Sequence, residues 1–270
     1  MTWPAVNNPA GGHVDKRWLV RQVGASRRQR LYCFAYAGGA AGVYGKWQTY
    51  FPSDVEVCAI QLPGRGTRLG EAPLRSLSAI IQKVADLIAH EAVMPFSLFG
   101  HSLGALLAFE VTQRLRAIGK RMPQRLFVSG CEAAHLFKRK KAFHLLPDDA
   151  LIEQLRTYNG TPAEVLENRE LMELILPMVR ADFELVDQYS GYYRAAPPIT
   201  LPIIALTGRQ DPYCEPHRTT CWLDHSTVGG RVHQFDGDHF FIDSSRDAVL
   251  ACVLTELGYS DTGRARYNPE

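Results

Sequence analysis

Short apolar runs alternate with longer stretches that repeat apolar residues at helical spacing along most of the chain. The apolar runs predict buried strands, and the repeats predict amphipathic helices. We expect strands at 31–37, 55–60, 96–99, 125–129, 203–206 and 231–235. We expect helices at 43–51, 77–91, 103–118, 215–223 and 246–257. This alternation predicts an α/β protein with a mostly parallel central sheet and helices on both faces.

The alternation is interrupted in the middle of the chain. Residues 135–196 contain only helical patterns, and strands resume after Pro202. An insertion at this point predicts a helical lid over a site, with residues 1–134 and 197–270 forming the core. The alternative is a purely structural helical layer. We expect an irregular arm with at most one short strand before residue 28, and frayed residues at the end of the chain.

Composition narrows the classes of function. The chain has 270 residues, 46% of them hydrophobic, 21% charged, and a net charge of +2. This balance supports a sizeable core but predicts no nucleic-acid or membrane surface. No apolar stretch is long enough to cross a bilayer, and the N-terminus shows no secretory signal. The six scattered cysteines favour reduced thiols in a cytoplasmic protein over a disulfide framework. A monomer is the default expectation.

The most informative motif is Gly100-His101-Ser102-Leu103-Gly104. It has the pattern G-x-S-x-G, which places a nucleophilic serine on a sharp strand-to-helix turn. The glycines are needed because a Cβ on either side would meet neighbouring backbone. An apolar run precedes the motif and a helical pattern follows it, so the context is the required one. The alternative is a serine that caps an ordinary helix.

A serine nucleophile needs a base, and the base needs an orienting carboxylate. The serine turn is similar to that of the α/β hydrolases, in which the acid and then the histidine follow the serine along the chain. Asp211 comes just after the predicted strand 203–206, and His239 follows the last strand. We therefore assign Ser102, Asp211 and His239 as nucleophile, orienting acid and general base.

Other acids and histidines are weaker candidates for these roles. Asp236 and Asp238 are too close to His239 in sequence to reach its Nδ1 comfortably, and Asp187 lies in the insertion. His101 flanks the serine, and we expect its side chain to point elsewhere. We expect solvated or structural roles for the remaining histidines, at positions 13, 90, 135, 144, 225 and 233.

The oxyanion formed during hydrolysis needs preplaced donors. We expect one donor to be the amide of Leu103, at the start of the helix after the nucleophile. The second is expected from the loop Tyr36-Ala37-Gly38-Gly39, with Ala37 as the first choice and Tyr36 as the next. The alternative is a glycine turn that only connects two elements.

Three further signals favour no additional function. Four ligands spread along one helix cannot meet at a single metal ion. We therefore expect no metal site at Cys214, His217, Cys221 and His225. Gly64-Arg65-Gly66 lacks the third glycine of a dinucleotide-binding fingerprint. The basic run at 138–141 is either a solvated face or a docking point for an acidic partner.

Several motifs together resemble the type II (external) thioesterases of nonribosomal peptide and polyketide synthesis. They are spread over most of the chain: 34–39 (FAYAGG), 62–68 (LPGRGTR), 100–104 (GHSLG), 109–110 (FE), 160–162 (GTP), 176–177 (LP), 180–182 (RAD) and 237–241 (GDHFF). Two positions depart from the pattern, since Ala35 stands where proline is common and Gly66 where glutamate is frequent.

The resemblance implies the α/β-hydrolase fold and a defined reaction. The enzyme would hydrolyse acyl groups from the phosphopantetheine arm of acyl or peptidyl carrier proteins, clearing stalled or mis-primed thioesters, without a cofactor of its own. Two alternatives remain within the hydrolases: a medium-chain fatty-acyl thioesterase and an esterase of free small molecules. A third is a non-catalytic binding subunit that has kept the fold.

Overall fold

A computed structural model of the chain describes residues 15–21, 27–138 and 142–259. Seven strands form one sheet: β1 (Leu19–Arg21), β2 (Gln29–Phe34), β3 (Val55–Ile60), β4 (Phe96–His101), β5 (Leu126–Ser129), β6 (Ile203–Gly208) and β7 (Gly230–Phe235). The α-helices are α1 (Leu77–Glu91), α2 (Leu103–Ala117), α3 (Asp148–Tyr158), α4 (Ala163–Leu166), α5 (Arg169–Tyr192), α6 (Pro216–Thr220), α7 (Phe241–Ser244) and α8 (Arg246–Glu256).

The sheet has the strand order β1-β3-β2-β4-β5-β6-β7. Only β1 is antiparallel to its neighbour, and all other pairs are parallel. The register aligns Phe34 with Gly100 and His101 with Ser129, so the carboxyl ends of the central strands meet at one edge. This architecture confirms the predicted α/β-hydrolase fold.

Helices cover both faces of the sheet, as the alternating pattern predicts. On one face α1 and α2 pack in a cluster that contains Ile80, Val84 and Leu106. On the other face α8 contributes Val249, Leu250 and Val253 to a second cluster. Helix α2 is buried on nearly all sides, since eleven of its fifteen residues are buried. The serine turn is therefore held between two packed layers.

The described chain between β5 and β6 contains α3, α4 and α5, joined to the sheet by turns and irregular segments. The two halves of α5 pack in different places. Its first half joins a separate apolar cluster through Met172, Leu176 and Val179. Its second half joins the main core through Leu185 and Tyr189. The division of the chain into a core and a lid at residues 135 and 196 stays a prediction.

Three predicted elements differ from the structure. The helix predicted at 215–223 is the short α6, which ends at Thr220 and is followed by a 3-10 turn at Cys221–His225. Residues 43–51, predicted as one helix, instead form 3-10 turns at Ala41–Tyr44 and Trp47–Thr49. Gly45 within this stretch and Gly42 just before it disfavour a continuous α-helix, and the apolar spacing reflects burial of single aromatic rings such as Trp47. The strand predicted at 31–37 ends at Phe34, because the chain then leaves the sheet and Gly38 takes a φ of +80°.

The described residues include only part of the two chain ends. The expected short strand in the N-terminal arm is β1, whereas residues 1–14 and 22–26 and the end from residue 260 lie outside the described residues. All six cysteines are free thiols. Among the helices that the structure describes, none has both the length and the apolar character that a membrane span requires.

Candidate active site

Ser102 stands on a strained turn between β4 and α2. Its φ is +55°, a region that side-chain-bearing residues rarely occupy and that costs about 1–3 kcal/mol. A Cβ on Gly100 would lie 2.0 Å from the carbonyl oxygen of Gly104, and one on Gly104 would lie 2.1 Å from that of Phe34. The Ser102 amide donates to the carbonyl of Ser129, at 2.8 Å. Both glycines are therefore required by close backbone approach.

Three side chains that are far apart in sequence meet at this turn. The His239 Nε2 lies 3.1 Å from the Ser102 Oγ. The His239 Nδ1 lies 2.8 Å from the Asp211 Oδ2. His239 and Asp211 are 5% and 8% exposed, so little water competes for these hydrogen bonds. The arrangement can move a proton from the serine hydroxyl to the imidazole.

Two loops at the carboxyl ends of neighbouring strands carry the acid and the base. Asp211 follows β6 and His239 follows β7, and the two loops approach each other closely at Gly208. A Cβ at Gly208 would lie 2.5 Å from the carbonyl oxygen of Asp238. The second oxygen of Asp211 accepts from the amide of Tyr213, at 2.8 Å. Both carboxylate oxygens of Asp211 are therefore hydrogen-bonded, which fixes the orientation of the side chain.

His101 points away from the serine hydroxyl and supports the base. Its Nε2 donates to the backbone carbonyl of His239 at 2.8 Å, and its Nδ1 accepts from the hydroxyl of Ser129 at 2.9 Å. A carbonyl cannot donate, so this pattern fixes the neutral tautomer. Burial and the neighbouring His239 together hold the pKa of His101 well below its ordinary value. His101 is therefore neutral, and its hydrogen bond supports the loop that carries His239.

The competing acids have other partners. Asp187 accepts from His144 Nδ1 at 2.5 Å, and Asp236 pairs with Arg209 at 3.0 Å. One oxygen of Asp238 accepts from the amide of Phe240, which is adjacent to His239 in sequence. Of the acids weighed from the sequence, Asp211 is the one that the structure places on His239.

A cavity of about 720 Å³ opens over Ser102 and His239. Ala37 and Leu103, the two predicted amide donors, both line it. Its apolar wall comes largely from α5, through Ile175, Val179, Phe183 and Val186. Elsewhere the wall carries polar residues, which include Glu132, Lys138, Gln154, Thr157, Thr161 and Glu215. An acyl chain and a polar arm could both be accommodated.

A buried ion pair holds the loop that contains Ala37. Asp182, on α5, accepts from the amide of Gly38 at 2.7 Å. Arg65 donates to both oxygens of Asp182, at 2.6 and 2.7 Å, and to the carbonyl of Gly39 at 3.0 Å. Arg65 and Asp182 lie in two of the family-like motifs, at 62–68 and 180–182, which assign neither residue a role. No local sequence pattern shows that residues so far apart meet.

The contact between α3 and the loops that carry Asp211 and His239 could not be predicted from the sequence. The ring of Tyr158 stacks on that of Tyr213 with centroids 4.1 Å apart, and both rings contact His239 at their edges. Asn159 donates to Asp238 at 3.1 Å. The signal available in the sequence was only an aromatic residue followed by Asn-Gly at the end of a helical pattern.

The residues of the other weak signals have separate partners. Cys214 Sγ lies 2.9 Å from the hydroxyl of Thr219, and His225 Nε2 lies 2.9 Å from His135 Nδ1. Among the described residues, no group of three or more His, Cys, Asp or Glu side chains could hold a metal ion. Of the basic run at 138–141, only Lys138 lies within the described residues.

The fold and the site together define an α/β hydrolase. Residues 29–256 match the Thioesterase domain family, and the chain belongs to this family. This result confirms the family resemblance that the motifs predict.

Relatives from biosynthetic pathways support the same assignment. The gramicidin S biosynthesis protein GrsT of Aneurinibacillus migulanus is 37% identical over 244 residues, covering 90% of this chain and 94% of GrsT. The linear gramicidin dehydrogenase LgrE of Brevibacillus parabrevis is 38% identical over 250 residues, covering 91% of this chain and 94% of LgrE. The structure of the type II thioesterase BorB from the borrelidin biosynthetic cluster has a TM-score of 0.82 at 32% identity, covering 92% of this chain and 100% of BorB.

Proposed function

We propose that this protein is a type II thioesterase that releases acyl groups from the phosphopantetheine arm of carrier proteins. The observation that carries the proposal is the hydrogen-bonded series Ser102–His239–Asp211 at the base of a large cavity. Its similarity to BorB, a type II thioesterase, supports the choice of substrate class. The phosphopantetheine belongs to the substrate, so the proposed enzyme has no cofactor of its own.

Acylation begins when Ser102 attacks the thioester carbonyl. His239 accepts the hydroxyl proton at Nε2, and Asp211 stabilises the resulting imidazolium. The carbonyl π electrons move onto oxygen, where the amides of Ala37 and Leu103 donate to the oxyanion. Leu103 suits this role because the first amides of a helix have no acceptor within the helix. Collapse of the intermediate expels the pantetheine sulfur, which takes the proton from His239.

Deacylation repeats the same steps with water. His239 accepts a proton from a water molecule that attacks the Ser102 ester, and the same two amides stabilise the second oxyanion. The carboxylic acid leaves when Ser102 recovers its proton from His239. The apolar α5 wall would contact the acyl chain during both steps and exclude other water.

The proposed partner is a carrier protein of a biosynthetic synthase. The pantetheine arm must enter from outside, and the polar part of the cavity wall suits its amides. Lys138 lies on this wall and is a candidate contact for an acidic partner. We propose that the enzyme acts as a cytoplasmic monomer, without a nucleic-acid or membrane partner.

The name of LgrE raises a dehydrogenase as a second possibility, and the loop geometry does not favour it. Gly64-Arg65-Gly66 leads into a three-residue 3-10 turn, Gly66–Arg68, and not into a helix whose N-terminus could face a pyrophosphate. The Arg65 side chain in this loop forms an ion pair with Asp182.

The decisive experiment is mass spectrometry of an acyl-loaded carrier protein incubated with the enzyme. We expect loss of the acyl mass with the wild type and no loss with Ser102→Ala. Ser78→Ala, which changes an exposed serine on α1, is the matched control and should keep full activity. Acyl release that persists in Ser102→Ala would contradict the proposal. So would a strong preference for free p-nitrophenyl esters over the carrier-bound thioester, which would indicate an esterase.

A further inference from the structure

The Arg65–Asp182 pair joins three parts of the chain beside the reactive serine. Asp182 lies on α5, Arg65 lies in the loop after β3, and both contact the loop Tyr36–Gly39 after β2. Asp182 is fully buried and Arg65 is 4% exposed. A buried ion pair contributes little net stability, because desolvation offsets most of the attraction. Its position next to a proposed oxyanion donor is the more informative property.

Hydrogen bonds in this loop exclude two of its four amides as oxyanion donors, and Ala37, the first choice from the sequence, remains available. The Gly38 amide points to Asp182, so it does not face a substrate carbonyl. The Gly39 amide donates back to the carbonyl of Tyr36 at 2.9 Å, which closes the turn. The Ala37 amide belongs to the peptide whose carbonyl accepts from Gly39, and Asp182 fixes the next peptide along the chain. Asp182 therefore restricts the orientation of the Ala37 amide from its C-terminal side.

The charges of the pair also matter for the reaction. A lone carboxylate one residue from an oxyanion donor would repel the charge that develops on the substrate. Arg65 cancels this repulsion, since it binds both oxygens of Asp182. The pair can therefore orient the loop without adding a negative field to the site.

We propose that Asp182 and Arg65 are positioning residues, which orient the Ala37 amide toward the oxyanion. Because Asp182 lies on α5, this orientation depends on the position of α5. The inference rests on the proposed function only for the use of Ala37 as an oxyanion donor. It predicts that loss of the pair weakens binding of the transition state more than binding of the ground state.

The test compares Asp182→Asn with Glu56→Gln. Glu56 forms an equally buried pair with Arg30, at the opposite end of the sheet from Ser102. Kinetics are measured with p-nitrophenyl butyrate, at a temperature where both variants are folded. We expect Asp182→Asn to lower kcat by about 10- to 100-fold with KM within about twofold, and Glu56→Gln to leave kcat unchanged.

Inhibitor binding distinguishes loss of the Ala37 orientation from a general disturbance of the site. An alkyl trifluoromethyl ketone forms an oxyanion when the Ser102 Oγ bonds to its carbonyl carbon and the hydroxyl proton passes to His239. The matching alkyl ether cannot form one. Asp182→Asn should weaken the ketone by the same factor as kcat and leave the ether unchanged. Equal weakening of both ligands, or a kcat no lower than that of Glu56→Gln, would overturn the inference.

A second variant keeps the test valid if Asp182→Asn does not fold. Arg65→Lys preserves the charge but cannot bind both oxygens, and we expect a smaller loss with the same preference for weakening the ketone. If Arg65→Lys weakens both ligands equally, the inference is wrong. The ester and the ketone require only the serine site, so failure to release acyl groups from carrier proteins would refute the proposed function without affecting this test.

Discussion

The segment between β5 and β6 contacts the two sides of the site in different ways. On the oxyanion side, α5 is attached through the buried Arg65–Asp182 pair. On the acid–base side, the contacts at the end of α3 include the Tyr158–Tyr213 stack, an edge contact of Tyr158 with His239 and an exposed hydrogen bond from Asn159. Breaking the first contact leaves a buried charge, whereas breaking the second returns groups to water. The comparison suggests that α5 is a fixed wall and that the end of α3 is the part able to lift.

The largest expected effect is on the fixed side. Asp182→Ala leaves the Arg65 guanidinium buried without its carboxylate, which should lower the free energy of unfolding by about 3–5 kcal/mol. Urea unfolding at pH 7 measures this loss. The double variant Arg65→Met/Asp182→Leu removes both charges and should cost far less. A loss below about 1 kcal/mol for Asp182→Ala would contradict the picture of α5 as firmly attached.

The second prediction concerns pH and the other half of α5. Tyr189 donates to Glu110 on α2 at 2.8 Å, and burial raises the pKa of Glu110 to about 7. A carboxyl with a raised folded-state pKa stabilises the fold below its unfolded pKa and loses that stability as pH rises. The free energy of unfolding should therefore fall between about pH 4.5 and 8, because the charged carboxylate is desolvated at this contact between α5 and α2.

Glu110→Gln tests this dependence because glutamine stays neutral and can still accept from Tyr189. The variant should match the wild type within about 0.5 kcal/mol near pH 4.5. It should exceed the wild type by about 3 kcal/mol at pH 8, as measured by urea unfolding across the range. Parallel stability curves for the two proteins would show that Glu110 does not titrate in this way.

The fold and the meeting of Ser102, His239 and Asp211 could largely be predicted from the sequence. Parallel strands bring their carboxyl ends to one edge, so residues that follow β4, β6 and β7 must meet there. Ser102 also carried a local signal, since its flanking glycines fit only a sharp turn. Each of these inferences depends on a short stretch of chain and on the general geometry of a parallel sheet.

The contacts that distinguish the two sides could not be predicted in this way. Arg65 and Asp182 are 117 residues apart, and nothing around either one identifies its partner. Tyr158 fits a helical pattern, but its stacking on Tyr213 depends on the path of the loop after α3. Such contacts are set by how the helices between β5 and β6 lie on the rest of the fold, and hydrophobic periodicity does not encode that placement.

The third prediction tests how easily the end of α3 lifts. A Cβ on Gly160 would lie 2.1 Å from the ring of Phe240, so Gly160→Ala must displace either the ring or the segment. Overpacking in a rigid site costs about 1–3 kcal/mol, and lifting of a weakly attached segment limits the cost to the low end of that range. We expect faster hydrogen exchange at residues 158–160 with little loss of stability.

The control for this variant is Gly160→Ala/Phe240→Leu, which makes room for the new methyl group. It should restore slow exchange if the ring contact is responsible. If Gly160→Ala destabilised the protein as much as Asp182→Ala, the two sides would be equally rigid.

The smallest expected effect is the coupling between the stacked rings. A double-mutant cycle with Tyr158→Leu, Tyr213→Leu and the double variant should give a coupling free energy of about 0.5–1.5 kcal/mol. Tyr158→Phe keeps the ring and should preserve the coupling, which separates stacking from any hydroxyl contact. A value of this size is comparable to thermal energy, so the stack can open and close at little cost while α5 stays in place. A coupling above about 3 kcal/mol would instead make the acid–base side as firmly attached as the oxyanion side, and entry of an acyl chain would then require another part of the wall to move.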